Sequence, residues 1–147
     1  QTMDDAILSL LRDGTIDAIA CDHAPHAPEE KEVEFAEAPF GVIGLETTLA
    51  LVMTYLVEPG HLTLAQAIEK MTINPARILR IPKGTLAPGA DADITMFDPK
   101  KKWKVDVHRF RSRSRNCPFH GWELRGKAVK VVVAGRLLDC ASAGTPA

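Results

Sequence analysis

The stretch from Ile16 to His26 constrains this chain more than any other. An apolar run, Ile16 to Ala20, reads as a buried strand and ends abruptly in Asp22, His23, Pro25 and His26. Ligands of α/β proteins bind beyond the carboxyl ends of the strands, so such a switch from apolar to titratable side chains marks a candidate site. Taken alone, Asp22 can ligate a hard or borderline metal, act as a general base, or cap a following helix. His26, four residues on, can line the same pocket and bind an anion or zinc, or it can sit solvated in a loop.

The flanking sequence supports an α/β reading. Residues 2–12 carry Met3, Ala6, Ile7, Leu10 and Leu11 at helical spacing, with Thr2 and Asp5 placed as a capping box and Asp13-Gly14 as the stop. Helix, tight turn and buried strand are the rhythm of a parallel sheet. Residues 27–37 are rich in Glu and read as a solvated loop, with room for one helical turn. A long apolar helix is expected from about Leu45 to Val57, stopped by Pro59-Gly60. A second helix runs from Leu62 to Met71 with Thr63 as N-cap, and Asn74-Pro75 opens a third.

From Pro82 the character changes. Residues 83–90 are turn chemistry, followed by a strand at 92–97, a turn at Asp98-Pro99, a basic stretch, and strands at 127–133 and 136–138 about Ala134-Gly135. A boundary is therefore placed near residue 81, giving units 1–81 and 82–147. The small-residue tail 141–147 is expected to fray.

Composition narrows the class. With 147 residues, 46% hydrophobic and 25% charged, the chain is that of a globular protein with one core or a core plus an appendage. A net charge of −1 argues against whole-surface attraction to nucleic acid or anionic membrane, and no apolar run approaches the roughly 18 residues of a membrane span. Cys21, Cys117 and Cys140 are widely spaced and form no Cys-x-x-Cys pair, which fits a reducing, cytoplasmic setting. The basic residues Lys100 to Lys102, Lys104, Arg109, Arg111, Arg113 and Arg115 interleave with Trp103 and Phe110, a pattern that can bind nucleic acid. Acidic residues elsewhere balance that charge, so a solvated surface or a subunit contact is expected. The chain opens at Gln1 in the run-up to a helix, without a leader-like segment, and reads as a piece of a longer protein.

Ala20 to His26, followed by Lys31, closely resembles the second signature of the dihydroorotases, members of the metal-dependent amidohydrolase superfamily of (β/α)8 barrels. Ala38 to Gly41 with Gly44 to Thr47 resembles that family's loop and helix after the last barrel strand. Asn74-Pro75-Ala76 and Lys83 to Asp93 resemble segments widespread in amidohydrolases, and Arg115 to Phe119 with Gly121-Trp122 and Gly126-Lys127 resembles the dihydroorotase C-terminus. Cys21 and Cys117 depart from the family's usual Ser or Thr and Thr, and Cys21 is read as a packing substitution.

The resemblance implies a fold: the C-terminal part of a TIM-type barrel plus a small β-rich portion. It implies a site in which Asp22 is a metal ligand and proton shuttle, His26 contacts an anionic substrate, and Phe40 and Gly41 belong to a loop that touches the pyrimidine ring. His23 is left as loop structure. The implied cofactor is zinc, in a binuclear site whose His-x-His pair, bridging residue and two further histidines are absent here. His61, His108 and His120 lie in turn-like or β-rich contexts and are not expected as ligands. The implied reaction interconverts N-carbamoyl-aspartate and dihydroorotate, and this portion is expected to be inactive alone. Allantoinase or dihydropyrimidinase is the enzyme alternative. A non-catalytic dihydroorotase-like partner of aspartate carbamoyltransferase is the alternative of another class. Expected partners are the small substrate and further copies of the chain, with neither nucleic acid nor membrane.

Overall fold

The structure is a computed structural model that describes residues 2–140; the tail expected to fray lies outside them. Helix α1 spans Met3–Asp13. The Thr2 hydroxyl accepts from the Asp5 amide at 3.1 Å and the Asp5 carboxylate from the Thr2 amide at 3.0 Å, completing the capping box. Pro28–Lys31 form a single turn, α2. The long apolar helix starts later than its sequence suggests: α3 covers Thr48–Val52 and continues without a break as a π-helical stretch, Met53–Val57. Helix α4, Leu64–Met71, begins at the expected cap, Thr63. Helix α5, Ile73–Leu79, starts two residues early, so Pro75 falls third and not first in its opening turn, where its missing N–H is still harmless.

The expected strand at Ile16 to Ala20 does not form. This run has no regular secondary structure, is half-exposed, and has no ladder partner among the described residues. Its backbone is satisfied by helices instead. The Ile19 amide donates to the Lys70 carbonyl at 2.9 Å, the buried Lys70 ammonium to the Ile16 carbonyl, and Asn74 Nδ2 to the Asp17 carbonyl at 3.0 Å. A parallel barrel strand needs neighbours on both sides, and these residues supply none. The described residues therefore do not close a barrel.

The sheet lies in the second half. Strands β1 (Ile94–Lys104), β2 (Glu123–Val133) and β3 (Arg136–Asp139) pair antiparallel in that order. The turn expected at Asp98-Pro99 is instead a bulge: β1 runs through it, with Asp98 opposite Lys127 and Lys102 opposite Arg125. Ala134 and Gly135, at φ 48° and 76°, make the tight two-residue turn between β2 and β3.

Helix α3 and its π-helical extension hold the molecule together. Val52 and Met53 pack with Leu11, Leu62 and Ala67 on one side, while Ala50 packs with Val105 and Leu124 on the other. The approach to β2 is close. A Cβ on Gly126, at φ +86°, would stand 2.5 Å from Met53 Cγ. The Arg125 amide donates to the Thr54 hydroxyl at 2.8 Å, and the Arg125 guanidinium pairs with Glu58 at 3.0 Å. The helical half and the sheet thus pack on opposite sides of one helix, each with its own cluster.

Candidate active site

The loop after this unpaired run folds against residues 40–45. Asp22 takes φ 40°, a left-handed conformation that Asp and Asn tolerate better than other non-glycine residues. Its carboxylate is exposed. His23 makes an isolated parallel bridge to Val42, and the Ala24 amide donates to the Val42 carbonyl at 3.0 Å. His23 Nδ1 accepts from the Gly44 amide at 3.1 Å and the Leu45 amide at 3.4 Å. Those donors leave the proton of a neutral ring on Nε2. His23 is therefore the structural residue of the loop, as its sequence suggested.

The four residues singled out in the sequence sit on these two adjoining loops. His26 Nε2 donates to the Phe40 carbonyl at 3.1 Å, and Nδ1 lies 3.4 Å from the Glu30 carboxylate. The Glu30 carboxyl is held below the ordinary range, chiefly because it accepts from the Ala27 amide and secondarily through His26. The Phe40 side chain is 97% exposed, an apolar surface offered to whatever faces the loop. Gly41 has φ +103°, and a Cβ there would meet Ala24 Cβ at 2.6 Å. Only glycine allows the loops to approach this closely.

Three residues without an assigned role in the sequence turn out to hold the site. Lys31 Nζ donates to the Pro39 carbonyl and, at 2.9 Å, to the Gly41 carbonyl. Asn116 Nδ2 donates to the Ala24 carbonyl at 2.8 Å and the Gly41 carbonyl at 3.4 Å, and its Oδ1 accepts from the His26 amide at 3.4 Å. The Glu46 carboxylate accepts from the Arg111 and Ser112 amides at 3.2 and 3.1 Å. Lys31 and Asn116 stood in motifs that resemble the family's, but their contacts span up to 92 residues, and no local pattern announces them. Burial raises the neighbouring Cys117 thiol, which therefore stays a packing group.

The other histidines lie apart. His61 bonds Arg12, while His108 and His120 pack edge to face at 5.6 Å. Among the described residues no group of three His, Cys, Asp or Glu side chains is placed to hold a metal. Zinc takes a tetrahedral N, S or O ligand set. The exposed Asp22 carboxylate fits as one ligand of such an ion, and these residues do not complete the set.

The model of the amidohydrolase family matches residues 3–138. The chain belongs to the amidohydrolase family. Among its relatives are the dihydroorotases of Syntrophus aciditrophicus, 56% identical over 133 residues, and of Pelotomaculum thermopropionicum, 57% identical over the same length. Each alignment covers 90% of this chain but 31% of the relative. The L-hydantoinase (dihydropyrimidinase) of Arthrobacter aurescens superposes with a TM-score of 0.86 at 34% identity, over 93% of this chain and 32% of the other. The dihydropyrimidinase of Brevibacillus agri NCHU1002 gives 0.84 at 26%, over 92% and 31%. The chain thus spans just under a third of the length of the relatives it matches.

Proposed function

We propose that this chain is the C-terminal portion of a dihydroorotase-type cyclic amidohydrolase that interconverts N-carbamoyl-aspartate and dihydroorotate. The observation that carries the reading is the junction of two loops. Asp22 to His26 is seated on Phe40–Gly41 in a chain more than half identical to two dihydroorotases. In hydrolysis, the exposed Asp22 carboxylate takes a proton from the attacking water and passes it to the ring amide nitrogen as the C–N bond breaks. His26 fixes the Phe40 carbonyl through Nε2, and it would contact an anionic substrate by exchanging the Glu30 carboxylate beside Nδ1 for it. Phe40 offers an apolar face, and Gly41 lets the backbone come close to the ring. Asp22 would be this chain's ligand to zinc, which supplies an activated water when bound. The remaining ligands are assigned to the rest of a barrel, so these 147 residues alone are expected to be inactive.

The three cysteines are free, and no helix among the described residues is long and apolar enough to cross a membrane. The free cysteines fit a reducing, cytoplasmic setting; further copies of the chain, or aspartate carbamoyltransferase, are the protein partners this reading proposes. A dihydropyrimidinase is the second reading, favoured by the superposition on the Arthrobacter enzyme. Asp22→Asn in the full-length chain tests the first. Asn tolerates the left-handed backbone, so the fold should persist while turnover of dihydroorotate falls about 10³-fold. Near-normal turnover in that variant would sink the assignment. Preference for uncharged dihydrouracil over dihydroorotate in the wild type would favour the second reading.

A further inference from the structure

Resting on the reading of the site above, we propose that Asn116 is a positioning residue whose amide sets the gap between His26 and the Phe40–Gly41 loop. On the first loop it bonds the Ala24 carbonyl (2.8 Å) and the His26 amide (3.4 Å). On the second it reaches the Gly41 carbonyl through Nδ2 (3.4 Å), and its main-chain carbonyl accepts from the Ile43 amide (3.1 Å). A planar amide carries donors and an acceptor on one short, stiff side chain, so a single residue can hold both loops in register.

The loops draw on such a support because, among the described residues, one isolated bridge is their only strand-like pairing and the remaining ties run through the side chains of His23, His26 and Lys31. The support is itself rigid. Glu46 pins the Arg111 and Ser112 amides before Asn116. After it, Phe119 packs with Trp103 and Phe110 against the core of Ala50, Val105 and Leu124. Asn116 therefore transmits the order of the sheet and its core to loops that lack a ladder of their own. Its effect falls on the elements assigned to substrate contact and spares Asp22, which lies outside its bonds.

The experiment is steady-state kinetics on the full-length chain with Asn116→Ala and the near-isosteric, uncharged Asn116→Leu, which keeps the bulk and removes both donor and acceptor. Both are expected to raise KM for dihydroorotate about tenfold or more, with a smaller change in kcat and an unchanged pH profile, the loss expected when good hydrogen bonds to a binding loop go. Hydrogen exchange should quicken at the His26 amide, which loses its Asn116 Oδ1 partner, while the β1–β2 ladder stays protected. An unchanged KM in both variants, or quickened exchange spread evenly through the sheet, overturns the inference and leaves the functional reading standing. A wild type without turnover of dihydroorotate or dihydrouracil overturns that reading, and the positioning role with it.

Discussion

At the scale of single residues, the site depends on backbone geometry that few side chains can adopt. Gly41 combines φ +103° with a Cβ position 2.6 Å from Ala24 Cβ. Gly41→Ala should cost about 2 kcal/mol in urea denaturation, from the strained backbone and the forced shift of Ala24. Gly135 offers the contrast, since it sits at φ +76° with nothing within 4 Å. Gly135→Asn should leave the same denaturation midpoint nearly unchanged, because Asn tolerates that conformation and meets no neighbour. Of the candidate site, Asp22, His26, Phe40 and Gly41 could be proposed from sequence because they lie in short motifs, and the structure sets them on two adjoining loops. Asn116 and Glu46 could not, because their partners lie 65 to 92 residues away; Lys31 could not, because its partners are main-chain carbonyls, which carry no side-chain pattern.

At the scale of elements, two junctions carry the connection between helices and sheet. The π-helical stretch lets the Thr54 hydroxyl accept from the Arg125 amide at 2.8 Å. Thr54→Val keeps the shape but leaves that half-buried amide unpaired, and should cost about 1–2 kcal/mol in thermal denaturation. The second junction ties residues 83–93 to the β2–β3 turn. Lys83 Nζ lies 2.7 Å from Asp91 and 2.6 Å from Asp93, whose other oxygen accepts from the Ala134 amide at 2.7 Å. Lys83 is pushed up to about 12 by those hydrogen bonds, and Asp93 is lowered, first by the Ala134 amide and then by Lys83. A raised lysine stabilises the fold fully below its unfolded value and stops doing so as pH rises through about 12. A depressed carboxyl stabilises above its unfolded value of 3.8 and stops doing so as pH falls through the lowered one. The Ala134 amide resonance should therefore stay constant across neutral pH and move only below about pH 4 and above about pH 11. Both side chains reach solvent, at about two-fifths exposure, so high salt should weaken the tie.

At the scale of the whole molecule, apolar surface stays uncovered. Met3, Ile7 and Leu10 form an exposed stripe on α1, while Leu11, next to them, is buried. Ile78 and Leu79 of α5, together with Phe35, Phe40 and Leu45, are exposed as well. Surfaces of this kind are normally covered in a folded protein. Expressed alone, the 16.0 kDa chain should elute larger than a monomer in size-exclusion chromatography. Ile7→Lys, on an exposed helix face, should shift it toward monomer without lowering its helix content.

What the sequence by itself determined is what repeats locally: the capped helices, the turn at Ala134-Gly135, and the motif at Asp22 to His26. Periodicity, capping residues and turn residues act over a few positions, and nothing distant overrode them. Tertiary structure alone decided the rest. The run at Ile16 to Ala20 has a strand's composition but remains unpaired, because a strand is made by its neighbours. The pair Asp98-Pro99 became a bulge, because β1 pairs with β2 on both sides of it while the Asp98 carboxylate takes the Lys100 and Lys101 amides. The opening loop keeps its geometry through Asn116, an amide 90 residues from His26 that only the packing of helix against sheet brings to it.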